Sequence, residues 1–170
     1  PGMAHGAIVF SEHPRARVLA IHTDEAADMP GVVRILTADD IPGERVLGLY
    51  AKDWPVYIKV GEVTRYIGDA LACVVAETEA EARAAAACVK ADYEILTPLL
   101  DMEEAETSPI HIHENGNILL DKTIRRGEPV DEALARCAFT AEATYRTQAV
   151  EHAFIEPEAA LAVPEAGGVR

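Results

Sequence analysis

Ala70-Leu71-Ala72-Cys73-Val74-Val75-Ala76-Glu77-Thr78-Glu79-Ala80-Glu81 is the stretch on which the fold turns. Its first part, through Ala76, is a continuous apolar run of strand length, the pattern of a central strand covered on both faces. Thr78-Glu79-Ala80-Glu81 is a capping box. The Thr78 hydroxyl accepts from the first-turn amides and the Glu81 carboxylate reaches back, opening an Ala-rich helix over 82–89. An Ala face lets the helix approach a sheet closely but buries little area, so packing on the strand has to supply much of the stability. Asp92-Tyr93-Glu94-Ile95-Leu96 then returns as a strand ended by Pro98, completing strand, helix and strand.

Working outward, Gly6-Ala7-Ile8-Val9-Phe10 and Val18-Leu19-Ala20-Ile21-His22-Thr23 are expected as two neighbouring strands, separated by the loop Ser11-Glu12-His13-Pro14. Thr23 is the expected N-cap of a short helix that Pro30-Gly31 ends. Val32-Val33-Arg34-Ile35-Leu36 resumes strand character, and Thr37-Ala38-Asp39-Asp40 offers one capped turn. Residues 44–62 show little periodicity. On the other side come an acidic stretch at 101–106 and a turn at Asn115-Gly116-Asn117. Residues 118–124 are strand-like, 130–137 helix-like and 139–145 strand-like, and 153–163 is an extended run punctuated by Pro157. The expected class is α+β, a mixed sheet with a few packed helices.

Composition narrows the function classes. The chain has 170 residues, with 15 Lys+Arg against 29 Asp+Glu, a net charge of −14, and is 49% hydrophobic. One compact domain with a real core is expected, since folding at this size buries about 70% of the unfolded surface. The charge and the lack of a basic run argue against nucleic acid and anionic membrane surfaces as partners. No apolar run approaches the roughly 20 residues that span a bilayer, and no signal-peptide pattern opens the chain, so a cytoplasmic location is expected. Cys73, Cys88 and Cys137 are an odd, widely spaced set, read as buried free thiols rather than a disulfide framework or zinc ribbon. A chain beginning at Pro1 and stopping just beyond an apolar run is expected to be a piece of a longer protein.

Few residues suggest chemistry. His111-x-His113 with Glu114 could set two imidazoles on one face of an extended segment as metal ligands; surface histidines in a loop fit as well. His152 and Glu156 put polar groups inside an apolar run, as a site rim or as local caps at a strand edge broken by Pro157. Arg65-Tyr66-Ile67-Gly68-Asp69 reads as a turn held by a surface ion pair. Phosphate loops, nucleophile elbows, His-Glu-x-x-His helices and dinucleotide fingerprints do not occur, so no catalytic, cofactor-binding or metal residue is assigned within the chain.

An ordered set of segments nonetheless resembles one family. Gly6 to Ser11 and Pro14 to Val18 come first, then Pro30-Gly31-Val32-Val33 and Thr37-Ala38-Asp39-Asp40-Ile41-Pro42-Gly43. Val63-Thr64-Arg65-Tyr66-Ile67-Gly68, the strand from Ala72 to Thr78, Ala82, Ala86 and Asp92-Tyr93-Glu94 follow. Together with Glu151-His152-Ala153-Phe154-Ile155-Glu156-Pro157-Glu158, they are similar to the start of the molybdenum-binding subunit of the xanthine dehydrogenase and aldehyde oxidase family. Phe10 and Arg15 stand where many members carry Arg and His, and Asp69-Ala70 replaces a common Glu-Pro.

The resemblance implies an α/β-hammerhead domain at 1–148 and the start of the molybdenum-cofactor domain at 149–170. It implies a full-length hydroxylase of a purine, heterocycle or aldehyde, using water-derived oxygen on a molybdenum–pterin cofactor. Iron–sulfur clusters and FAD would sit on partner domains or subunits. This chain would then be scaffold, inactive alone, packing on the molybdenum domain, with His152 and Glu156 as junction residues. The competing expectations are a free-standing acidic module that binds a protein or ligand, and a metalloenzyme built on His111, His113 and a carboxylate.

Overall fold

The computed structural model describes residues 2–49, 51–151, 153, 155 and 159–170, which fall into two compact units, 1–122 and 123–170. The first unit opens with β1 (His5–Phe10), β2 (Ala16–His22), α1 (Asp24–Ala27) and β3 (Val32–Thr37). The two-residue strands β4 (Val46–Leu47) and β5 (Trp54–Pro55) follow, then β6 (Ala70–Ala76), α2 (Glu79–Ala86), β7 (Lys90–Ile95) and α3 (Met102–Thr107).

The apolar run of β6 is the middle strand of a three-stranded sheet, antiparallel to β1 on one side and β3 on the other, with Ile8 and Leu36 both opposite Cys73. On one face, Ala85 of α2, Val89 just beyond that helix and Ala26 of α1 pack with Val74. On the other, Tyr57 and Ala38 pack with Cys73. Two covered faces explain why β6 carries no polar side chain. They come from α2 and from an irregular segment, not from the helices of a parallel sheet.

The capping box forms as expected: Thr78 Oγ1 accepts from the Glu81 amide at 3.3 Å, and Glu81 Oε2 accepts from the Thr78 amide at 3.1 Å. A second box closes a 3-10 turn at Ala38–Asp40, where Asp40 accepts from the Thr37 amide at 2.9 Å. Thr23 precedes α1 but its side chain makes no capping hydrogen bond.

Three expectations are corrected. β1 and β2 are not neighbours, because β2 pairs antiparallel with β7 in a separate sheet. The intervening loop is captured by distant partners: the Ser11 amide donates to the Asp69 carbonyl at 2.8 Å, and the Ala16 amide to Thr64 Oγ1 at 2.9 Å. The strand–helix–strand unit therefore has its strands in two sheets, with Val18, Ile58 and Leu71 making a core cluster. The 65–69 turn is not closed by an ion pair. Buried Asp69 accepts from the Arg65 backbone amide at 2.6 Å, while the Arg65 guanidinium donates to the Asp53 carbonyl. Of the cysteines, only Cys73 is buried; Cys88 is half-buried and Cys137 exposed.

Sequence reading missed α3. Asp101 caps it by accepting from the Glu103 and Glu104 amides at 2.8 and 3.0 Å. Residues 118–124, expected as a strand, join no ladder.

The second unit contains α4 (Val130–Ala135), within the segment expected to be helical, and a hairpin of β8 (Pro164–Glu165) and β9 (Gly168–Val169) turning at Gly167, φ +94°. The strand-like 139–145 pairs with nothing, and Phe139 stands 94% exposed. Apolar and β-branched content gives a segment strand character, but a ladder needs a second backbone at the right distance. No helix among the described residues is long and apolar enough to cross a membrane.

Candidate functional site

A cleft of about 530 Å3 lies in the first unit between the β4–β5 hairpin, the 58–65 loop and residues 111–114. Local chemistry builds each wall. Arg45, just before β4, forks onto Glu62 with contacts of 2.5 and 2.9 Å and also donates to the Tyr57 carbonyl at 2.9 Å. Glu62 in turn accepts from the Lys59 amide at 2.8 Å, so a bidentate pair pins the hairpin to the loop. Asn117 shapes the third wall, accepting from the Ile112 amide at 2.8 Å and donating to the Ala105 and Ile110 carbonyls. His113 Nδ1 meets Asp53 Oδ2 at 2.5 Å and ties that wall to the hairpin.

The two histidines weighed as a ligand pair against surface loop histidines do not act together. His111 lines this cleft with Glu114, whereas His113 is engaged by Asp53 and lines a second cleft beside Leu99, Met102 and Ala105. Among the described residues there is no group of three or more His, Cys, Asp or Glu side chains able to hold a metal ion. His152 and Glu156 lie outside the described residues.

Reading by motif missed the cationic lining of the cleft: Arg15, Arg45, Lys52 and Arg65. These residues are scattered over four connections between strands, and no spacing rule links them. The signal was the fold.

The aldehyde oxidase and xanthine dehydrogenase α/β-hammerhead family model matches residues 1–97, and the molybdopterin cofactor-binding domain model matches residues 110–170. The chain belongs to the aldehyde oxidase and xanthine dehydrogenase family. Its α+β arrangement of small sheets and few helices is the hammerhead fold, and it aligns with the aldehyde oxidoreductase of Desulfovibrio gigas at a TM-score of 0.60 and 32% identity, over 66% of this chain and 13% of that one. A probable xanthine dehydrogenase subunit of Bacillus subtilis is 34% identical over 99% of this chain. The large molybdopterin subunit of nicotinate dehydrogenase from Eubacterium barkeri is 35% identical over 95% of it. The chain spans 22% of the first of these relatives and 37% of the second.

The molybdopterin cofactor-binding match covers residues 110–170, and the lining of the two clefts described above comes from the first unit.

Proposed function

We propose that the chain is the hammerhead scaffold and the opening of the cofactor-binding domain of a molybdenum hydroxylase subunit. In that enzyme, carbon–hydrogen bonds of a purine, N-heterocycle or aldehyde become carbon–oxygen bonds with oxygen from water. The molybdenum–pterin cofactor of the full-length subunit supplies this oxidation, and iron–sulfur and flavin domains or subunits are the proposed partners that carry electrons away. The observation that carries the reading is the tandem order of the two family matches, 1–97 then 110–170, within one chain. Where one domain hands over to the other is likewise proposed: the resemblance implies 148/149, whereas the second family match starts at 110. His152 and Glu156 are proposed as junction residues, and the cytoplasm as the compartment.

The test compares the full-length subunit with the 170-residue chain for molybdenum content and for hydroxylation of a purine, nicotinate and an aldehyde. The full-length subunit is expected to carry the metal and turn over at least one substrate, and the chain alone to do neither. A native product no larger than 18.3 kDa in the source cells overturns the reading. For the junction, unchanged turnover and molybdenum content after substituting both His152 and Glu156 overturns their role.

A further inference from the structure

In the first unit, the lysines and arginines meet carboxylates almost throughout, as in Arg17 with Glu94, Arg34 with Asp40 and Arg45 with Glu62. Among the described residues of the first unit, only Arg15, Arg65 and, at the unit's end, Lys122 have no such partner. Arg15 Nη1 donates to the Thr97 carbonyl at 3.0 Å and Arg65 Nη1 to the Asp53 carbonyl, which leaves further guanidinium donors on both. Both arginines line the same cleft.

An isolated antiparallel bridge joins Arg17 to Val63, and the Thr64 amide donates to the Ala16 carbonyl at 2.8 Å, which holds the two segments that carry Arg15 and Arg65 side by side. Like charges gathered in one cleft repel each other. In a chain with 29 acidic residues against 15 basic ones, a carboxylate partner would be the simple remedy, and here none is supplied. His111 lines the same cleft. Of the lining carboxylates, Glu62 is held by Arg45 and Asp53 by His113, which leaves Glu114 facing the site.

We propose that this cleft binds a small molecule through one oxyanion, a phosphate or a carboxylate, held between Arg15 and Arg65. The planar guanidinium fork matches either group, and a volume of about 530 Å3 suits a small ligand. Glu114 on the same wall disfavours a polyanion, which sets the site apart from a nucleic-acid surface.

The test is calorimetric titration of the full-length subunit with inorganic phosphate and, separately, with acetate; which of the two binds distinguishes the sources. One equivalent of at least one anion is expected to bind. Arg15→Gln and Arg65→Gln should each weaken it by at least about tenfold, the loss of a charge-assisted hydrogen bond, while Arg83→Gln on α2 leaves it unchanged. Because Arg65 also supports the hairpin, Arg15→Lys gives a gentler reading. It keeps the charge, loses the fork and should fall between parent and Arg15→Gln. No binding of either anion at tens of millimolar, or binding undiminished in Arg15→Gln, overturns the proposal. So does shielding of Arg15 from phenylglyoxal in the assembled enzyme without anion binding, since an acidic side chain of a partner would then occupy the cleft.

Discussion

At the residue scale, Gly31 and Tyr57 show how single positions carry tertiary constraints. Gly31 sits at φ +78°, and a Cβ there would lie 2.3 Å from the Glu81 carboxyl carbon. Glu81 cannot easily move aside because it caps Thr78, and the Gly31 carbonyl accepts from the Glu77 amide at 2.9 Å. Gly31→Ala is expected to cost about 1–3 kcal/mol by urea unfolding, and only part should return in the Glu81→Ala background, where the clash is gone but the backbone cost remains. Tyr57 is buried over the sheet, and its phenol is pushed up to about 12, by burial first and by the neighbouring Cys73 thiol second. Folding therefore favours the protonated phenol. Its contribution is complete below the ordinary value of 10 and is lost as pH rises toward 12. Urea midpoints should fall across that window in the parent and fall less in Tyr57→Phe.

At the element scale, two of the threonines that look like N-caps, Thr78 and Thr23, separate cleanly. Thr78 makes a reciprocal box, so Thr78→Ala should lower stability by about 1 kcal/mol. Thr23 makes no side-chain capping bond, so Thr23→Ala should stay within about 0.5 kcal/mol of the parent in the same urea assay. The box at 78–81 was legible because each partner is three residues from the other and needs nothing from the rest of the chain. The same holds for the Thr37–Asp40 turn. The Asp101 cap of α3 was equally local, but it was hidden inside a run read only as acidic. What could not be read locally is the partner of a strand. β2 and the 139–145 segment both look like strands in sequence, yet β2 finds β7 and 139–145 finds no ladder.

At the scale of the whole molecule, stability is spread over three small core clusters rather than one large one, around Val74, Leu71 and Cys73. Leu71, 1% exposed, joins β6 to the cluster on β2, so Leu71→Ala is expected to cost about 2–5 kcal/mol by urea unfolding. Leu120, 75% exposed, should tolerate alanine within about 0.5 kcal/mol. The sequence by itself determined the central strand, the capped helix behind it and the family, because hydrophobic period, capping spacing and ordered segments are properties of neighbours along the chain. Only the tertiary structure decided that β1 and β2 part into separate sheets, that His111 and His113 go to different places, and that Arg15 and Arg65 share one cleft. Those outcomes depend on contacts between residues tens of positions apart, such as Thr64 with Ala16, and no local pattern encodes which distant backbone will satisfy a strand or face a charge.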